Sequence, residues 1–165
     1  MQRVSRWLFY ALVLLALGQA AYHQAHLPER IATHFDLQGK ANGWDLRASH
    51  IAYQVGLAVL LGGLFGGMGW LVGKLPDALV NIPHREYWMA PGRRTATLGT
   101  LAAMLHACGS VVLGFFILFF QQIFVANLSG QLQLKLLPLI IGQFILLAGL
   151  VTALMLRFRR PPPTN

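Results

Sequence analysis

Residues 98–125 read LGTLAAMLHACGSVVLGFFILFFQQIFV, twenty-eight positions without one Lys, Arg, Asp or Glu. A helix crossing a hydrocarbon core of about 30 Å needs on the order of 20 mostly apolar residues, and this run exceeds that. Three further stretches, near 7–25, 51–73 and 136–156, meet the same criterion. All four are long and continuous, whereas a closed barrel needs short alternating segments. The expected fold class is therefore all-α, an integral membrane bundle of four transmembrane helices.

Composition agrees with lipid as the solvent. The chain has 165 residues, of which 56% are hydrophobic and only 11% charged, with a mean hydropathy of +0.56. A small globule in water could not hide so much apolar surface. The net charge of +8 would suggest nucleic acid in a soluble protein. In a membrane chain it reports topology, so no nucleic-acid partner is expected. Cys108 is the single cysteine and lies in an apolar run, which excludes a disulfide framework or a CxxC metal site within one chain.

Lys and Arg resist translocation, so basic residues in short connections set orientation. The N-terminal stub, the connection 74–97 and the C-terminal tail hold nine basic residues, against four (Arg30, Lys40, Arg47, Lys135) on the other side. Both termini are thus expected in the cytoplasm of a multi-pass protein of the cell (inner) membrane. Segment 26–50 forms an outer loop and 74–97 an inner loop, and 157–165 is expected to be a disordered basic and proline-rich tail. Gly18-Gln19-Ala20 offers a competing small-x-small cleavage signal after the first span.

The outer loop carries more punctuation than a linker. Pro28, Gly39 and Asn42-Gly43 favour turns, and Phe35 and Trp44 suit headgroup depth. Leu27-Pro28, then His34-Phe35, Gly39 and Trp44 resemble the signature of the domain-of-unknown-function 1648 membrane proteins, a group that includes SdpI-like immunity and signalling proteins. The inner stretch Asn81-Ile82-Pro83-His84-Arg85-Glu86-Tyr87-Trp88-Met89-Ala90-Pro91 is similar to a second segment often found downstream in them. Ala32 stands where that pattern often has proline, and His84 where it has asparagine. The resemblance implies a polytopic bacterial membrane protein, in SdpI-like cases one that protects against a peptide toxin and signals to a cytoplasmic repressor.

Candidate ligand or partner contacts are therefore His34, Phe35, Gly39 and Trp44 outside, and Asn81, Pro83, Arg85, Glu86, Tyr87 and Trp88 inside. Trp88 is expected to face the membrane. His23, His26, His34 and Asp36 form a weak candidate metal set, which with Asp36 or Glu29 as base would make an outer-face metal-dependent hydrolase. Their spacing matches no specific ligand pattern, so no metal and no cofactor is expected. His106 is the ionisable group deep in a span, expected neutral and bonded to a backbone carbonyl or Ser110. Gln54 and Gln143 are the other polar residues available to a transporter path. Gly62, Gly66, Gly69 and Gly73 form a helix-packing stripe, widened by Gly63 and Gly67, whose partner is a span of the same chain or of a second copy. The expected function is a non-enzymatic sensor or immunity-type protein. Its partners are the bilayer, an extracytoplasmic peptide and a cytoplasmic protein, with a homo-oligomer open.

Overall fold

The computed structural model describes residues 2–159. Four helices are long and apolar enough to cross a membrane: α1 (Gln2–His26), α2 (Arg47–Val72), α4 (Pro91–Ser129) and α5 (Leu136–Arg159). The chain is a polytopic membrane protein. Between α1 and α2 lies an antiparallel hairpin of β1 (Arg30–Phe35) and β2 (Ala41–Leu46). Between α2 and α4 come a 3-10 turn (Asp77–Leu79) and the single-turn α3 (Arg85–Trp88).

Helix α4 starts at Pro91, seven residues before the apolar run. Proline suits the first helical position because its missing N–H has no intrahelical partner there. The helix stops at Gly130, whose φ of 71° closes it in the left-handed conformation. At 1.5 Å per residue its 39 residues span about 58 Å, well beyond a hydrocarbon core. Helix α5 continues through Arg157 to Arg159, where the sequence suggests the tail has begun. The rest of that tail, 160–165, lies outside the described residues.

Helices α1, α2 and α4 pack mutually, and α5 lies against α4. The Gln2 side chain donates to the Ala96 carbonyl of α4, and Trp88 Nε1 to the Phe158 carbonyl of α5. One end of the bundle therefore gathers the start of α1, the start of α4 and the end of α5; we call it the terminal end, and the other the hairpin end. Large side chains such as Leu14, Val59 and Phe144 point outward and stay exposed, as lipid-facing residues do.

The glycine stripe meets spans of the same chain. A Cβ on Gly62 would touch Val13 at 3.4 Å, one on Gly66 the Tyr10 hydroxyl at 3.1 Å, and one on Gly69 the His106 ring. Gly73 departs from expectation, since its nearest neighbour is the Trp70 carbonyl of its own helix end, and Gly63 and Gly67 face open space. Their 100° offset turns them away from α1 and α4. Gly109 on α4 completes the seam, with Phe9 Cε2 2.7 Å and Phe65 Cβ 2.8 Å from where its Cβ would stand. Phe9 is fully buried there, edge-on to Phe65.

Candidate functional site

The hairpin is held from three sides. Its turn is built by Asp36, whose Oδ1 accepts the N–H of Gln38 at 2.9 Å and of Lys40 at 2.8 Å. Gly39 sits in that turn with φ 81°, and a Cβ there would collide with the Leu134 carbonyl. The close approach lets Leu134 N–H donate to the Gly39 carbonyl at 2.8 Å and Ala41 N–H to the Leu132 carbonyl at 3.2 Å, tying the turn to the α4–α5 connection. On α4, the Asn127 amide clamps Ala32. Its Oδ1 accepts the Ala32 N–H at 2.8 Å and its Nδ2 donates to the Ala32 carbonyl at 3.0 Å. A proline at position 32 would lack that N–H. Finally, Arg47 at the start of α2 donates to the Leu27 carbonyl at 2.6 Å.

The four outer candidates divide into two pairs. Phe35 and Gly39 are structural: Phe35 packs on the cluster of Ile123, Ala126 and Leu134, and Gly39 is buried under Leu134. His34 and Trp44 face solvent, joined by the fully exposed Leu37. Thr33 Oγ1 donates to Asp45 Oδ2 at 2.7 Å, and His34 Nδ1 lies 3.7 Å from the same carboxylate oxygen, an ion pair when the imidazole is protonated. Gly43 opposite lets the His34 side chain lie close to β2, since a Cβ there would stand 2.9 Å from that of His34.

Beneath the hairpin lies a polar network that sequence reasoning missed. His23 is fully buried and stacks on Phe124, with centroids 4.3 Å apart and planes 9° from parallel. Gln54 Nε2 of α2 donates to its Nδ1 at 3.0 Å, which leaves the proton of a neutral ring on Nε2, facing Gln121 Oε1 of α4 at 3.4 Å. Gln19 Nε2 adds bonds to Gln121 Oε1 at 3.0 Å and to the Ile117 carbonyl at 2.9 Å. Three helices are thus cross-linked by uncharged amides around one imidazole. Beside this network, Gln54 Oε1 and His50 Nε2 are buried without a hydrogen-bond partner. A cavity of about 10 Å³ lined by Gln19 and Gln54 adjoins, at the threshold for one water. Glutamines on three separate spans share no local pattern; the signal available was that each interrupts an otherwise apolar run.

The metal candidates are not brought together. His23 is sequestered in this network, while His26 stacks on Tyr22 and bonds its carbonyl at 2.8 Å. His34 is out on the hairpin and Asp36 is spent on the turn. Among the described residues no three His, Cys, Asp or Glu side chains converge on one point. Glu29 contributes its backbone carbonyl to the Arg47 N–H.

At the terminal end, the inner loop is a folded strap. Arg94 joins Asp77 Oδ1 at 2.7 Å and the Leu75 carbonyl at 2.9 Å. Arg93 lies over the Tyr87 ring at 3.9 Å while bonding the Tyr87 carbonyl. The Trp88 indole is half-buried, edge-on to Phe158 at 5.3 Å, and its N–H donates to the Phe158 carbonyl of α5. Asn81, Pro83, Arg85 and Glu86 are exposed, the last two lining an open depression with His84 and Tyr87. His84 adopts φ 52°, a left-handed conformation for which asparagine is also favoured.

His106 is 5% exposed, and of the two partners expected for its ring, a backbone carbonyl or Ser110, it takes the first, the Ala102 carbonyl one turn back on α4. The Ser110 hydroxyl instead donates to the His106 backbone carbonyl at 2.9 Å, the usual recourse of a serine inside a helix. His106 Nε2 has no hydrogen-bond partner.

Residues 11–52 match the model of the family described as "Domain of unknown function (DUF1648)". The match runs from the third turn of α1 through the hairpin into α2, so it includes His23, the Asp36 turn, His34-Phe35 and Trp44. This is the family that the outer-loop motif resembles. No curated protein and no solved structure matches the chain.

Proposed function

We propose that this polytopic membrane protein is a non-enzymatic sensor or immunity-type protein. Its hairpin meets an extracytoplasmic ligand, a peptide being the best fit, and its strap contacts a cytoplasmic protein. The observation that carries this reading is that α4 grips both parts through side-chain hydrogen bonds. Asn127 holds the hairpin at one end, while Arg94 and Thr97, which donates to the Trp88 carbonyl at 2.9 Å, hold the strap at the other. The exposed faces left over are suited to recognition: His34, Leu37 and Trp44 on the hairpin, and Arg85 and Glu86 on the strap. The basic-residue bias supports termini in the cytoplasm of the cell membrane and the hairpin outside.

Two experiments test this. Single cysteines at Gln38 and Gly92 should react with an impermeant label from opposite sides of intact cells; labelling from one side would remove the topology. In the source organism, His34→Ala and Trp44→Ala should lower survival of, or the transcriptional response to, the organism's own secreted peptide fraction. Wild-type survival and response in both variants, at normal expression, would refute the reading.

A further inference from the structure

The hairpin keeps one of its two edges open. The Arg47 N–H donates to the Glu29 carbonyl at 2.8 Å, so Glu29 with Arg47, and two residues on Ile31 with Asp45, are the pairs that bond each other across the ladder. The alternate pairs, Arg30 with Leu46 and Ala32 with Trp44, turn their backbone groups outward. On the β1 side those of Ala32 end on Asn127. On the β2 side the Trp44 N–H and carbonyl and the Leu46 N–H have no partner among the described residues. The Leu46 carbonyl differs, because Leu46 is the N-cap of α2 and its carbonyl serves that helix.

The chain itself shows what this edge accepts. Nearer the turn, the Ala41 N–H donates to the Leu132 carbonyl and the Leu134 N–H to the Gly39 carbonyl, which makes Lys40 and Gln133 an antiparallel bridge. The register shift between His34 and Phe35 keeps Ala41 and Trp44 on the same edge although they are three residues apart. That incipient third strand ends at once, since the Gln133 N–H folds back onto the Gln131 carbonyl and α4 ends at Ser129. The ladder is thus begun at 39–41 and left vacant at Trp44 and Leu46, whose side chains are both exposed. We infer that an extended peptide adds antiparallel to β2 as a third strand. Its residue opposite Trp44 exchanges two backbone bonds with it, and the carbonyl two residues earlier accepts the Leu46 N–H. Opposed residues share a face of the sheet, so apolar side chains at alternate peptide positions meet Trp44 and Leu46. The inference rests on the peptide reading above and supplies its mode of recognition.

The test uses the full nitrogen-15-labelled chain in a neutral detergent, with a soluble seven-residue peptide alternating Thr and Val as probe. Saturable binding is expected, with amide exchange at Trp44 and Leu46 slowed about tenfold or more and that of Asp45, already bonded to β1, unchanged. The same peptide with every amide N-methylated should not bind. Leu46→Pro removes the edge donor without disturbing the hairpin, since φ of −70° suits proline and that N–H serves no internal bond. It should weaken binding about tenfold, as expected when a carbonyl in an interface loses its donor. Leu46→Ala trims the side chain but keeps the N–H, and should bind more tightly than Leu46→Pro. No slowing at Trp44 and Leu46, binding of the N-methylated peptide, or equal affinity of the two Leu46 variants overturns the proposal. Protection of both amides that rises with protein concentration alone assigns the edge to a second copy, and protection in detergent before peptide is added assigns it to amphiphile; either result also overturns it. The sensor reading fails separately. Probe binding at the edge with a wild-type response in every hairpin variant removes the sensor and keeps the strand site, whereas a response lost in Trp44→Ala and retained in Leu46→Pro does the reverse.

Discussion

Replacing Asn127 with Ala tests how the hairpin is secured. Ala32 is fully buried, and its N–H and carbonyl both end on the Asn127 amide, at 2.8 and 3.0 Å. The same Nδ2 also bonds the Ile123 carbonyl of α4 at 2.9 Å, so the side chain is fixed before it meets the hairpin. Truncation leaves a buried donor and a buried acceptor without this partner, at roughly 1–3 kcal/mol for each group. Part of that is recovered if the hairpin lifts and water enters, so a net loss of about 2–4 kcal/mol in closing the hairpin is expected. Hydrogen exchange of the peptide covering 27–36 should then accelerate roughly 30- to 1,000-fold. Exchange in the spans should change little, because the His23 network and the Phe9 seam are untouched. Asn127→Asp is the informative companion: its oxygen can still accept the Ala32 N–H, but nothing is left to donate to the carbonyl, so it should fall between wild type and Ala. Unchanged exchange over 27–36, or a uniform loss of protection along the chain, would refute the clamp.

Other outcomes follow from the same geometry. Gly109→Ala should destabilise by about 1–3 kcal/mol, since Phe9 and Phe65 must give way, whereas Gly63→Ala, facing open space, should be neutral or slightly stabilising; thermal melts in detergent separate the two. Trp88→Phe keeps the edge contact with Phe158 but removes the N–H bond to its carbonyl, and should cost about 1 kcal/mol in the same assay. At the left-handed His84, Asn should hold or raise the melting temperature, while Val should lower stability by about 1–2 kcal/mol; equal behaviour of the two would mean that the local backbone relaxes freely.

The spans could be read from sequence because hydropathy over some 20 residues is a local quantity. His106 stood out for the same reason, as did Gly62, Gly66 and Gly69, whose spacing puts them on one face. Three features were beyond that kind of reading. Ala41, Asn42 and Gly43 are poor strand formers, so the hairpin owes its pairing to the contacts from Asn127 and Leu134, about 95 residues away in sequence. The amide network around His23 needs Gln19, Gln54 and Gln121 from three helices, and neutral glutamines leave no trace in a charge count. Aromatic residues near basic ones suggest an interfacial belt at Trp88, but the α5 carbonyl that accepts its N–H is 70 positions further on, beyond any local pattern.

The length of α4 has a mechanical corollary. A helix of about 58 Å, gripped by hairpin and strap at its extremities and seated at mid-length against the Phe9 seam, is a lever with its fulcrum inside the bilayer. A rocking of about 5° about that fulcrum swings the two tips roughly 2.5 Å in opposite directions, with the rod itself kept straight. Pressure on the tip at the hairpin end would thereby reach the tip at the terminal end without any helix melting, sliding or changing register.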